Sequence, residues 1–320
     1  MSAPHAPWPK SQPRDMVWLE GGRFRMGSDV HYPEEAPAHR VTVGGFWMDT
    51  CAVTNKDFAR FVAVTGYVTV AERSPDPADY PDADPSLLHP GSLVFHQPPG
   101  PVDLGDPAQW WRYTPGASWR QPRGPGSTLD GLDQHPVTHV AAEDADAYAT
   151  WAGKELPTEA EWEFAARGGL PGAAFTWGDE AAPGGRVMAN TWQGEFPWRN
   201  LKPRRRQGPS PVRSFPPNGY GLYDMTGNVW EWTSDYFVMH PAQPAPRGCC
   251  APRNPRVTAA ADSLVPGEPG AHIPRRVIKG GSHLCAPNYG LRYRPAARQG
   301  EAVDTSTVHL GFRCIRREPA

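Results

Sequence analysis

Proline takes 39 of the 320 positions and glycine 33. Proline removes a backbone donor and breaks helix and sheet interiors, while glycine weakens both, so a chain this rich in the two cannot be a helical bundle or a coiled coil. It must be built from short elements joined by long loops. Such loops need large side chains to pin them, and 13 Trp, 11 Phe and 10 Tyr supply these. Lys+Arg 32 against Asp+Glu 34 leaves a formal charge of −2, which excludes a basic nucleic-acid binder, and 39% hydrophobic residues exclude a disordered chain. The expectation is a loop-heavy globular protein of the α+β class.

The chain divides into a flexible N-terminal segment, residues 1–15, and one domain over 16–320. Met16–Leu19 and Arg23–Met26 flank Gly21-Gly22 and predict a hairpin. Thr54 or Asn55 caps a helix carrying Phe58, Phe61 and Val62 that stops at Gly66. Residues 74–136 lack a steady period and read as a folded loop layer held by Trp110, Trp111 and Trp119. A helix spans Ala142 to Trp151, and the Thr158-x-x-Glu161 capping box opens another from Glu159 to Arg167. Strands are expected at Val229–Thr233, Arg276–Ser282, Leu291–Arg294 and Leu310–Cys314, with a Pro-rich loop over 241–275.

No stretch approaches the roughly 20 apolar residues of a membrane span, and Met1–Lys10 lacks a signal-peptide pattern, so a cytoplasmic, membrane-free protein is expected. Cys51, Cys249, Cys250, Cys285 and Cys314 form no C-x-x-C pair, which points to reduced thiols rather than a zinc site or a disulfide framework. Phosphate-loop, G-x-G-x-x-G, G-x-S-x-G and H-E-x-x-H patterns are all absent. His135 and His139 flank Pro136 and read as packing or locally hydrogen-bonded residues, and Lys202–Arg206 as a solvated loop.

Gly280-Gly-Ser-His-Leu-Cys285, Arg292-Tyr-Arg294 and Gly311-Phe-Arg-Cys314 carry the remaining chemistry. With Gly22-x-Phe-x-Met-Gly27, His135-Pro-Val-x-His-Val140, Leu156-Pro-Thr-Glu-Ala-Glu-Trp-Glu163, Asn190-Thr-Trp-Gln-Gly194 and Pro217-Asn-Gly-Tyr-Gly-Leu-Tyr223, they resemble the formylglycine-generating enzymes, also called sulfatase-modifying factors, over about residues 16 to 316. The resemblance implies a C-type-lectin-like fold with little regular structure, in a bacterial, monomeric oxidoreductase. It implies oxidation of a cysteine in a C-x-P-x-R segment of an unfolded sulfatase to formylglycine, using O2 and copper(I) held by two cysteines. Thiolates suit copper(I), a soft ion.

Carried over by position, Cys285 is the first copper ligand, Ser282 lies beside the oxygen and substrate-thiol pocket, and Trp230 and Tyr289 shape the groove. The second cysteine is replaced by Gly290, and Ala286 stands where many members carry histidine. Three readings stay open: a copper-poor relative with little activity that acts as a peptide-binding module, a site completed by the substrate's own cysteine, or a site completed by Cys249 or Cys250. The resemblance also implies calcium on Asp224, Glu231 and the carbonyls of Gly227 and Val229, an oxygen set suited to a hard cation. A further calcium site would use Asn190 and Thr191, but its later acidic position is Arg204, whose side chain is expected to replace the ion. Cys314 has Ala149 where some relatives carry its disulfide partner, so a free buried thiol is expected.

Overall fold

The computed structural model describes residues 15–318 apart from 82, 85–87, 241–250 and 268–269. All of the expected flexible N-terminal segment except Asp15, and both loop cysteines, Cys249 and Cys250, therefore lie outside the described residues. No helix among the described residues is long and apolar enough to cross a membrane.

Three α-helices form where the sequence predicts them, two of them with the expected caps. Helix α1 (Asn55–Thr65) is capped by Thr54, whose side chain accepts from the Asp57 N–H, and ends at Gly66 in the left-handed conformation. Helices α2 (Ala142–Trp151) and α3 (Glu159–Arg167) follow, the latter opened by the Thr158–Glu161 capping box and closed by left-handed Gly168. Phe58 and Phe61 of α1, Tyr148 of α2, Trp230, Trp232 and Phe312 share one apolar core. Trp162, Phe164 and the N-terminal strands make a second.

The first expected hairpin does not form. Strand β1 (Met16–Leu19) pairs with β4 (Phe46–Asp49), while β2 (Gly22–Met26) pairs with β3 (His39–Val43), so Gly21 and Gly22 carry the chain between sheets instead of turning it back. A Cβ on Gly21 would lie 2.4 Å from the carbonyl oxygens of Val43 and Gly44, which explains why glycine sits at the crossing. Strand β13 (Ile315–Arg316) completes the β1–β4 sheet. The loop layer contains an unforeseen hairpin, β5 (Gly91–Phe95) with β6 (Trp111–Pro115), and a two-residue pair, β7 (Gly194–Glu195) with β8 (Arg199–Asn200), follows it.

A four-stranded sheet, ordered β11-β10-β9-β12, positions the residues of interest. It comprises β9 (Trp230–Tyr236), β10 (Arg275–Lys279), β11 (Arg298–Ala302) and β12 (Leu310–Gly311). The expected strand at Leu291–Arg294 is instead irregular loop. Residues 280–297 make one excursion between Lys279 and Arg298, which face each other in the β10–β11 register.

Charge holds the base of that excursion. Helix α3 is buried along its whole length, so its carboxylates Glu159 and Glu163, one turn apart, need cations. Lys279 donates to Glu163 at 3.0 Å, Arg298 Nε donates to Glu159 at 2.6 Å, and Arg167 completes the set on Glu163 at 2.7 Å. Despite its burial, Glu163 is held down to about 2 by Lys279 and Arg167. Breaking one partner of such a network costs about 3–5 kcal/mol, because the remaining charge is left buried and unpaired. Glu159→Gln is therefore expected to lower stability by about 3 kcal/mol or more, read by urea unfolding; a loss below about 0.5 kcal/mol would show that Glu159 carries no such load.

Candidate active site around Cys285

Cys285 sits in a tight turn whose geometry comes from the two glycines before it. Gly281 is left-handed (φ +69), and a Cβ there would lie 2.8 Å from the Arg292 carbonyl carbon and oxygen. The close approach of two backbone segments brings residue 292 against the cysteine turn. The Ser282 N–H points at Cys285 Sγ at 3.3 Å, and the Cys285 N–H returns to the Ser282 carbonyl at 3.0 Å. Burial pushes the Cys285 thiol up, opposed by hydrogen bonds from the Ser282 backbone and hydroxyl and by the Arg292 charge. Cys285 and Ser282, paired in the sequence reading, are thus brought into contact.

Arg292 was not foreseen as a site residue. Its guanidinium stacks over Tyr32 at 3.4 Å from the ring centre and pairs with Glu34, while the Tyr32 hydroxyl accepts the Leu291 N–H at 2.9 Å. Two residues on, Arg294 donates to Glu35 at 2.9 Å, with both side chains buried. A short 3-10 turn, Pro33–Glu35, therefore fastens the excursion from outside. The repeated Arg292-x-Arg294 and Glu34-Glu35 doublets were the available signal, but nothing local pairs them across the intervening chain.

The opposite flank is aromatic. The Trp192 N–H donates to the Cys285 carbonyl at 2.9 Å, and Trp192, Trp110, Phe196, Leu284 and Ala286 form a separate buried cluster. Tyr289 stacks on Phe196, with ring centres 4.5 Å apart, and remains 43% exposed, which places it at the surface beside the turn. Trp230 is buried in the same core as Cys285.

Gly290 is buried, and its φ lies outside the left-handed range. A Cβ added there meets only the Arg292 Cγ, at 3.6 Å, an ordinary contact. Nothing in the backbone demands glycine at this position. Cys51, Cys285 and Cys314 are all free thiols. Burial pushes both the Cys51 and the Cys314 thiol up; the Arg313 charge lies beside Cys51, and the Cys314 N–H donates to Asp49 Oδ2 at 3.0 Å. Among the described residues the turn therefore offers one thiol, which does not fit a two-thiolate copper(I) site in the free chain.

The two sets of expected calcium ligands differ. Both oxygens of Glu231 are taken: Arg313 donates Nε to Oε2 at 2.7 Å and Nη2 to Oε1 at 2.8 Å, and Trp162 Nε1 adds a third bond at 2.7 Å. Asp224 accepts the Arg213 N–H at 2.7 Å through Oδ2, while its Oδ1 takes no hydrogen bond among the described residues. Burial pushes this carboxyl up to about 6. Of the two expected carboxylate ligands, Asp224 thus keeps one oxygen without a protein donor among the described residues, whereas Glu231 is already neutralised by Arg313.

At the other set the structure corrects the expected replacement. Arg204 is exposed, and it is Lys202 whose Nζ donates to Asn190 Oδ1. Burial brings Lys202 down to about 8. Lys202 thus departs from the solvated-loop expectation that Arg204–Arg206, all exposed, satisfy. Asn190 also donates to Asn228 Oδ1 at 3.0 Å, and the Asn228 carbonyl accepts both the N–H and Nδ1 of His283, each at 2.9 Å. His139 is buried and hydrogen-bonded to Ser92 at 2.7 Å, as a packing residue would be.

Residues 3–318 match the sulfatase-modifying factor enzyme 1-like domain. The chain belongs to this family. The formylglycine-generating enzyme of Mycobacterium tuberculosis is 53% identical over 94% of this chain and 97% of its own length. The mouse inactive C-alpha-formylglycine-generating enzyme 2 is 38% identical over 98% and 89%. The solved structure of PvdO from Pseudomonas aeruginosa, 23% identical, superposes with a TM-score of 0.62 over 98% of this chain and all of its own, and shares the fold. As a member of the sulfatase-modifying factor family, the chain has the mixed, loop-rich α+β architecture expected of it.

Two substitutions separate constraint from choice at this turn. Gly281→Ala is expected to cost about 2 kcal/mol or more, through left-handed strain and a backbone clash. Gly290→Cys is expected to change stability by no more than about 1 kcal/mol, because its backbone is ordinary and its Cβ has room. Equal losses in thermal or urea unfolding would contradict this assignment.

Proposed function

We propose that the protein converts a cysteine of a sulfatase-type polypeptide, in a C-x-P-x-R segment, to formylglycine with O2 as oxidant. The observation that carries this reading is the Cys285 turn: a buried thiol, faced by the Ser282 N–H and hydroxyl, on a chain 53% identical to a formylglycine-generating enzyme. Gly290, buried in the same turn, carries no side chain, and a Cβ there would meet only the Arg292 Cγ at 3.6 Å. We infer that the substrate thiol approaches Cys285 on this side.

Under this reading, Cys285 and the substrate thiolate together supply the soft donors that Cys285 alone cannot, so copper(I) is held firmly only with substrate present. Bound there, copper would supply dioxygen activation. The residues of the chain contribute position and proton control. Ser282 directs its N–H and hydroxyl at the thiol and favours the thiolate. Arg292, fixed by Glu34 and Tyr32, adds positive charge nearby. Tyr289, stacked on Phe196, offers an exposed aromatic face against which an extended peptide can lie. Calcium on Asp224 and the Gly227 and Val229 carbonyls would neutralise a half-buried carboxylate.

A silent peptide-binding role is the second reading, favoured by the single thiol and by the likeness to an inactive mouse relative. Mass spectrometry of a C-x-P-x-R peptide incubated aerobically with copper(I) separates the two. Aldehyde formation by the unaltered chain, lost in Cys285→Ala, is the expected result. Conversion only by Gly290→Cys would overturn it and favour the silent role.

A further inference from the structure

Asn190 presents a side-chain oxygen whose cationic partner is part of the chain. Its amide nitrogen donates to the Gly208 carbonyl at 3.1 Å and to Asn228 Oδ1 at 3.0 Å, which turns Oδ1 toward Lys202. The lysine is delivered by its own backbone: the Lys202 N–H donates to Asn200 Oδ1 at 3.0 Å, and its carbonyl accepts from Gln207 Nε2 at 2.9 Å. Nζ then donates to Asn190 Oδ1, and no carboxylate among the described residues pairs with it. A half-buried ammonium facing a neutral oxygen is an expensive arrangement unless the surrounding oxygens are set to receive a cation.

We propose that Asn190 Oδ1 marks a cation cradle whose resident is the Lys202 ammonium, and that a hard divalent ion such as calcium enters only when Lys202 is removed. The family resemblance places an ion on Asn190 and Thr191, and in this chain a tethered cation stands there instead. Mutual exclusion follows from like-charge repulsion at a shared oxygen. The tether has a structural consequence, since Asn190 holds Asn228, which holds His283, two residues before Cys285. The cysteine turn is thereby braced on this side without a metal.

The test is calcium uptake by the full-length chain, measured by titration calorimetry in an Asp224→Asn background that removes the calcium expected at Asp224. Arg204→Asp, which supplies a carboxylate while keeping Lys202, is expected to gain no calcium. Arg204→Asp with Lys202→Ala is expected to gain one ion, lost again on Asn190→Ala. Equal calcium gain by Arg204→Asp alone would overturn the proposal, as would no gain in a folded double variant. Should the double variant fail to fold, Asn190→Asp with Lys202 intact decides: no calcium uptake supports the tethered cation, and uptake contradicts it.

Discussion

The excursion that carries Cys285 has no regular structure of its own and is held by buried charge. Lys279 and Arg298 close its base against Glu163 and Glu159 of α3. Arg292 and Arg294 fasten its far half to Glu34 and Glu35. A proline- and glycine-rich chain cannot obtain rigidity from long helices or broad sheets, so fixed ion pairs and backbone-to-loop bonds such as Trp192 to the Cys285 carbonyl take that part. Buried pairs contribute little net stability relative to apolar packing, but breaking one leaves a charge stranded, which makes the bonded arrangement hard to leave. Precision around the Cys285 thiol follows from that asymmetry.

The same economy recurs where metals are expected. Arg313 occupies the carboxylate of Glu231, and Lys202 occupies the oxygen of Asn190. One expected ligand set therefore keeps only Asp224 without a side-chain cation bonded to it, and the other is met from within the chain. At the thiol the direction is reversed: Gly290 removes a donor and leaves room. Under the proposed function, an incoming cysteine brings the soft ligand that the turn lacks.

What was legible in the sequence was local. Thr54, Thr158 with Glu161, Gly66 and Gly168 announced the ends of α1 and α3, because capping needs only neighbours within a turn. The Cys285–Ser282 contact was equally readable, three residues apart. Long-range choices were not. Gly21-Gly22 looked like a hairpin turn, yet β1 and β2 join different sheets, a decision made by packing against β3 and β4. The β5–β6 hairpin was hidden by prolines in the layer around it. Leu291–Arg294 alternates like a strand, but its arginines are drawn to Glu34 and Glu35 and it remains loop. Lys202 was passed over in favour of Arg204, because position along the chain does not show which of two nearby cations turns inward.

Under the proposed function, one enzyme thiol and one substrate thiol make a shared copper(I) site. Its most direct test is a competitive copper(I) titration of the unaltered chain, anaerobically, with and without a C-x-P-x-R peptide, with a Ser-x-P-x-R peptide as control. A gain in affinity of at least about tenfold, roughly 1.4 kcal/mol, seen with the cysteine peptide alone is predicted. Equal affinity in all three conditions would contradict the account.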